Sequence, residues 1–153
     1  MKLELTSTAF ADEQRIPKQH TGDGEDTSPP LRWLDPAAQT KTFALVCDDP
    51  DAPRGTWVHW VLFNVPAETR ELAEGVPTEE ILDCGAKQGK NDFGAVGYGG
   101  PAPPKGKPHR YFFKLYALDV MLDLPAGATK EQLLAAMKGH IVAEGQLMGR
   151  YQR

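Results

Sequence analysis

The stretch that decides the fold is residues 42–65, TFALVCDDPDAPRGTWVHWVLFNV. Two runs within it, residues 42–49 and 58–65, are rich in aromatic and β-branched side chains and are bounded by proline or glycine. Both runs are too short and too apolar on both faces for surface helices, so each predicts a buried strand. Further strands are predicted at residues 110–119, at residues 2–5 and around residues 31–34.

The composition predicts one globular domain that spans residues 1–153. The chain is 41% hydrophobic and 25% charged, and its 15 glycines and 13 prolines exceed the average shares of about 7% and 5%. Many turns and shaped loops are therefore expected, and the strand pattern favours two packed sheets over alternating βαβ units. One helix is predicted near the C-terminus, because Thr129 and Gln132 have the spacing of a capping box and Leu133, Met137 and Ile141 follow at intervals of four.

The charge balance excludes some partners. There are 17 basic and 21 acidic residues, and the formal net charge of -4 provides no global field that would attract nucleic acid or an anionic membrane. No run approaches the roughly twenty apolar residues of a transmembrane segment, and residues 1–5 lack the apolar core of a signal peptide. A cytoplasmic protein is expected, with Cys47 and Cys84 as reduced thiols.

Polar side chains stand at the ends of the predicted strands. Because alternate residues of a strand share a face, three rows each combine apolar residues with ionisable ones. The rows are Phe43, Leu45, Cys47 and Asp49; Trp57, His59, Val61 and Phe63; and His109, Tyr111, Phe113 and Leu115. If the three strand ends converge, they bring together donors, acceptors and backbone amides that suit a small oxyanion such as phosphate. The donors are His59, His109 and Tyr111, the acceptors are Asp49 and Asp51, and the exposed amides are those of Gly99 and Gly100.

These residues leave three functions open. The first is a module that binds a phosphorylated group. The second is a small hydrolase that uses the histidines and aspartates for general acid-base catalysis, although the chain has neither a Gly-x-Ser-x-Gly elbow nor a Walker loop. The third is a mononuclear metal site of His59, His109 and Asp49. The Pro-Asp-Ala-Pro stretch alone is more often only a turn.

Several motifs occur together in order. They are DPDAP at 49–53, HW at 59–60, GYGGPAPP at 97–104 and HRY at 109–111. This set resembles the phosphatidylethanolamine-binding protein family, also called Raf-kinase-inhibitor-like proteins. GEDTSPPLRW at 24–33 is similar to the family's early motif, and QGKNDFG at 88–94 and GHI at 139–141 resemble its bacterial and archaeal branch.

The resemblance implies a mainly β protein, a two-sheet antiparallel β-sandwich with a few short helices, and an anion pocket at one end. Its pocket residues correspond here to Asp49, Asp51, Pro53, His59, Ala102, Pro104, His109 and Tyr111, with Gly99 and Gly100 shaping the loop. The resemblance implies neither catalysis nor a cofactor or metal. The expected partners are a phosphorylated small molecule or lipid headgroup and a protein kinase, and relatives of this size suggest a homodimer.

Overall fold

The computed structural model describes residues 2–34 and 37–153. They form eight strands, a short 3-10 turn at Lys18–His20 and one α-helix, α1, at Lys130–Met137. The strands are β1 (Glu4–Thr6), β2 (Leu31–Leu34), β3 (Thr42–Asp49), β4 (Trp57–Pro66), β5 (Glu71–Leu72), β6 (Lys87–Gln88), β7 (His109–Leu118) and β8 (Ile141–Tyr151).

The strands make two antiparallel sheets. The smaller has the order β1-β2-β5, and the larger has the order β6-β4-β3-β7-β8. The main core contains side chains of both, and the rings of Trp33 in the small sheet and Phe43 in the large sheet are 5.3 Å apart. The predicted mainly β fold of two antiparallel sheets is confirmed.

Helix α1 covers the opposite face of the large sheet. Leu133 and Met137 are fully buried there against apolar residues of β3 and β4. The predicted capping box is present: the Thr129 hydroxyl accepts a hydrogen bond from the Gln132 amide, and the Gln132 side chain accepts one from the Thr129 amide. The predicted helical position of Ile141 is wrong. Gly139 leaves the helix with a φ of 84°, and the chain then pairs with β7 as strand β8.

A bulge between β3 and β4 decides where His59 lies. Cys47 pairs with Trp60 and Asp48 pairs with Val58, so His59 is an extra residue with no partner of its own in the register. The predicted common face of His59, Val61 and Phe63 is therefore wrong. Val61 and Phe63 pack in the cluster under α1. The bulge places the His59 ring on the other face of the sheet, where its centroid is 5.2 Å from that of Tyr111 in β7.

Candidate functional site

A pocket of about 190 Å³ lies where three strands of the large sheet meet at one end. Strand β3 ends there, and β4 and β7 begin there, because both run antiparallel to β3. The predicted convergence of the three strand ends is thus present. Seven of the ten predicted site residues line the pocket, together with four others; the lining residues are Asp49, Ala52, Pro53, Trp57, His59, Phe93, Ala102, Pro103, Pro104, His109 and Tyr111.

His109 and Asp49 form a pair at the base of this site. The Nδ1 atom of His109 lies 2.7 Å from Oδ2 of Asp49, whose Oδ1 accepts a hydrogen bond of 2.8 Å from the Asp51 amide. Asp49 is 3% exposed and His109 is 9% exposed, so the carboxylate is shielded from water and the pair is held in place. Since Nδ1 is engaged, Nε2 is the ring nitrogen of His109 that remains for a ligand.

His59 is fixed in a similar way by a backbone carbonyl. Its Nδ1 atom lies 2.6 Å from the carbonyl oxygen of Gly99. A carbonyl can only accept, so Nδ1 carries the hydrogen and the neutral ring presents a lone pair at Nε2. Burial lowers the pKa of His59, against the opposing pull of the Gly99 carbonyl and of Asp49. The ring therefore becomes a donor to an anion only when it takes up a proton.

Tyr111 completes the polar part of the pocket. Its side chain is buried, with 1% of the residue exposed. Burial and the nearby Asp49 carboxylate raise the pKa of Tyr111, so the phenol keeps its proton. A protonated phenol can donate a hydrogen bond to a ligand oxygen.

The other walls of the pocket are apolar. Trp57 and Phe93 stand edge to face at 5.4 Å between ring centroids, and the Phe93 ring is 5.5 Å from the His59 ring. Alanine and proline side chains form the remaining surface. Such walls lower the local dielectric constant and strengthen each electrostatic contact with a bound charge. Neither Trp57 nor Phe93 is among the site residues predicted from the sequence, although both line the pocket.

Asp51, a predicted acceptor in the site, is not among the residues that line this pocket. Its carboxylate binds the Arg110 guanidinium at 2.9 Å and 2.8 Å and also accepts a hydrogen bond of 2.9 Å from the Arg110 amide. These contacts lower the pKa of Asp51 to about 2. Asp51 instead joins the loop after β3 to the start of β7, next to His109.

The prediction of exposed amides at Gly99 and Gly100 is wrong. The Gly99 amide donates to the His59 carbonyl at 2.9 Å, and the Gly100 amide donates to Oδ1 of Asp26 at 2.7 Å. Neither N–H is free for an anion. Both positions exclude a side chain by close approach: a Cβ atom at Gly99 would lie 2.6 Å from the Phe93 ring, and one at Gly100 would lie 2.5 Å from the His20 carbonyl oxygen.

Three further expectations concern metals, membranes and the two cysteines. Within residues 2–34 and 37–153, no three His, Cys, Asp or Glu side chains are grouped closely enough to hold a metal ion, so His59, His109 and Asp49 do not form the three-ligand set considered above. The helix in the same part of the chain is too short to cross a membrane. Cys47 is buried and Cys84 is exposed, and they do not form a disulfide.

Comparison with known proteins identifies the family. The family model for phosphatidylethanolamine-binding proteins matches residues 6–152. The chain belongs to the phosphatidylethanolamine-binding protein family. Its relatives in this family include UPF0098 proteins of Methanothermobacter thermautotrophicus and Aquifex aeolicus. The first is 52% identical over 151 residues, which are 99% of each chain; the second is 48% identical over 153 residues, which are 99% of this chain and 89% of that protein.

Solved structures agree with this assignment. A putative phosphatidylethanolamine-binding protein homologue from Chlamydia trachomatis is 42% identical, with a TM-score of 0.91, over 99% of this chain and 98% of that one. Escherichia coli YbcL, described as a new member of the mammalian family, is 31% identical, with a TM-score of 0.88, over 100% of this chain and 99% of that one. The family resemblance and the fold expected from it are confirmed.

Proposed function

We propose that this phosphatidylethanolamine-binding protein family member binds the phosphate group of a phosphorylated molecule between His59 and His109. One observation carries the proposal: both imidazoles line the same pocket, and each has its Nδ1 atom held by an oxygen, at 2.6 Å and 2.7 Å. Each ring is thus oriented in advance and keeps Nε2 for the ligand. Two oriented imidazoles, once protonated, and the buried phenol of Tyr111 can donate to several oxygens of one phosphate group.

Protons are part of this binding mode. A neutral imidazole whose Nδ1 carries the hydrogen has only a lone pair at Nε2, so it must gain a proton before it can donate to an anion. Histidine ordinarily titrates near pH 6.5 and a phosphate monoester has its second ionisation near pH 6. The proton therefore comes either from water or from a phosphate monoanion. The Asp49 carboxylate, 2.7 Å from Nδ1, holds the His109 ring in place for this contact.

The pocket also selects for what is attached to the phosphate. Its volume of about 190 Å³ accommodates a small group, and Trp57 and Phe93 at its wall are 36% and 49% exposed. An organic substituent that extends from the bound phosphate towards solvent would contact these two rings. A phosphorylated metabolite, a lipid headgroup and a phosphorylated side chain share this chemistry. A protein kinase as partner, a homodimer and a cytoplasmic location stay predictions.

The proposal is for binding without turnover. A hydrolase is the second candidate, and the His109–Asp49 pair at 2.7 Å supports it because a carboxylate-oriented imidazole is the usual form of a general base. Against it, the pocket-lining residues among those described include no Ser, Thr, Cys or Lys side chain that could attack phosphorus. A hydrolytic reaction here would use water, or a pocket side chain such as Nε2 of His109, as the nucleophile.

Titration calorimetry with four probes tests the proposal: sulfate, inorganic phosphate, phenyl phosphate and glycerophosphoethanolamine. All four should bind, and phenyl phosphate should bind more tightly than inorganic phosphate because its ring contacts the aromatic wall. Glycerophosphoethanolamine, a phosphate diester, reports on binding of a lipid headgroup. Phenyl phosphate, a monoester, reports on binding of a small molecule or a phosphorylated side chain. Incubation with p-nitrophenyl phosphate should release no nitrophenol above the buffer rate. Failure of all four probes to bind would refute the binding site, and steady turnover that is lost in His109→Ala would favour the hydrolase.

A further inference from the structure

One peptide group connects Asp26 with His59. The Gly100 N–H donates to Oδ1 of Asp26 at 2.7 Å, and the Gly99 carbonyl accepts from Nδ1 of His59 at 2.6 Å. These are the two polar ends of the same Gly99–Gly100 peptide bond. The chain from carboxylate to imidazole thus consists of two hydrogen bonds and one peptide plane.

The orientation of this plane needs an external constraint. In a trans peptide the N–H and the C=O point in opposite directions, and the described residues contain no cis peptide bond. If the plane turned over, the carbonyl would leave His59 and the N–H would face the ring instead. Glycine restricts the backbone less than any other residue, so the pair at Gly99 and Gly100 imposes little preference of its own.

We propose that Asp26 is a positioning residue for His59. By holding the Gly100 N–H, its carboxylate keeps the Gly99 carbonyl on Nδ1 of His59 and so leaves Nε2 without a hydrogen in the neutral ring. The consequence for binding rests on the proposed function: an anion contacts His59 only when the ring takes up one proton. With the peptide reversed, Nδ1 would accept the Gly100 N–H, and Nε2 would carry the hydrogen and donate to the anion directly.

The segment that carries Asp26 is anchored to the same loop. The Tyr98 hydroxyl donates to the His20 carbonyl at 2.6 Å, and the Gly22 amide donates to the Pro101 carbonyl at 2.8 Å. Contacts on both sides of Gly99 and Gly100 therefore fix the loop, and Asp26 fixes the peptide between them. This gives a role to the GEDTSPPLRW motif at 24–33, which contributes no residue to the pocket lining.

Asp26 is a favourable position for substitution. Its side chain is exposed and its φ is 60°, in the left-handed region that asparagine and glycine adopt with little strain. Asp26→Asn removes the charge but retains an oxygen that can accept from Gly100. Asp26→Gly removes both the charge and the acceptor. The two variants together separate the hydrogen bond from the electrostatic effect.

Other charged groups near the His59 ring are common to all these variants. Asp49 and Asp48 act on the ring together with Asp26, while the phenol of Tyr111 packs against it and His109 lines the same pocket. Their contributions to the pH dependence are therefore present in wild type, Asp26→Asn and Asp26→Gly alike. The difference between the two variants isolates the orientation of the peptide.

The first readout is the tautomer of His59 in ligand-free protein, measured from two-bond ¹H–¹⁵N couplings above about pH 7.5, where an ordinary imidazole is neutral. Wild type and Asp26→Asn should show the hydrogen on Nδ1, and Asp26→Gly should show a mixture of tautomers. The second readout is the slope of log K for sulfate against pH over the same range. Asp26→Asn should keep the wild-type slope, and Asp26→Gly should have a slope smaller by up to one proton, which is a tenfold change per pH unit.

An Asp26→Gly protein with the same tautomer and slope as Asp26→Asn would overturn the inference. Equal changes in both variants would also overturn it, because they would assign the effect to charge. The failure of the proposed function is separate: if wild type binds no sulfate but the tautomer readout behaves as described, Asp26 positions His59 in a pocket that does not bind this anion. Thermal melting of all three proteins confirms that each is folded.

Discussion

Replacement of His109 by alanine should weaken sulfate binding by about 10- to 100-fold. A hydrogen bond to a charged group contributes about 1.5–3 kcal/mol, and each 1.4 kcal/mol changes an affinity tenfold. The variant also leaves Asp49, which is 3% exposed, without its imidazole partner at 2.7 Å. The unpaired carboxylate would repel an incoming anion, so the loss should fall in the upper part of this range.

The protein should still fold. Loss of the buried partner costs about 1–3 kcal/mol, and each kcal/mol lowers the melting temperature of a domain of this size by about 2–4 °C. His140→Ala is the matched control because His140 also binds a carboxylate through Nδ1, at 2.9 Å from Asp119. That pair is exposed and lies beside the end of α1, outside the pocket lining. Titration calorimetry at fixed ionic strength, with thermal melting, measures both effects. A folded His109→Ala protein with the same sulfate affinity as His140→Ala would refute the reasoning.

Further predictions follow from individual contacts. Asp51→Asn should leave sulfate affinity unchanged, because this side chain binds Arg110 outside the pocket. The contact with Arg110 lowers the pKa of Asp51 to about 2. The stability that Asp51 contributes should therefore be present above about pH 4 and lost as the pH falls towards 2. Burial lowers the pKa of His59, so the folded state binds fewer protons than the unfolded state below about pH 6.5. Chemical denaturation should therefore show that wild type loses stability relative to His59→Gln as the pH falls below that value. Gly100→Ala should lower the melting temperature more than Gly99→Ala, because the added methyl group meets backbone and the Asp26 carboxylate at Gly100, whereas its nearest contact at Gly99 is the half-exposed Phe93 ring; equal melting temperatures would contradict the packing argument. Elemental analysis should find no stoichiometric transition metal, and chelator treatment should leave sulfate binding intact; a tightly bound zinc ion lost together with binding would contradict both statements.

The strands that form the site are readable from sequence because their composition leaves few alternatives. Residues 42–49 are apolar on both faces, and the predicted strand coincides with β3. The direction of His59 is not readable in the same way. Counting alternate residues assumes an unbroken ladder, whereas the bulge opposite Cys47 and Asp48 reverses the alternation within β4.

Strand β8 illustrates a second limit. The predicted strands do not include residues 141–151, a run that contains Gly145 and Gly149 and begins with Ile141 at a helical spacing. In the fold both glycines lie where another residue approaches too closely for a side chain, Leu3 at Gly145 and Ile16 at Gly149. Such a requirement comes from tertiary packing and leaves no local signal.

Some polar groups of the site can be identified from the sequence, whereas their partners are determined by the fold. Asp49, His59, His109 and Tyr111 are identifiable because ionisable groups at the ends of apolar strands are costly to bury without a partner or ligand. The partners that remove Asp51 and the Gly100 amide from the pocket are Arg110 and Asp26, which are 59 and 74 residues away in sequence. Pairings at that distance are set by the fold.

The most direct test of the central claim is the affinity for sulfate between about pH 6 and 8, measured by titration calorimetry at fixed ionic strength in buffers of different ionisation enthalpy. Sulfate does not titrate in this range, so any change belongs to the protein. The proposed site predicts that affinity falls as the pH rises and that binding takes up protons from the buffer, because His59 and His109 must be cationic to donate through Nε2. An affinity that is independent of pH, with no proton uptake, would contradict a histidine-based anion site.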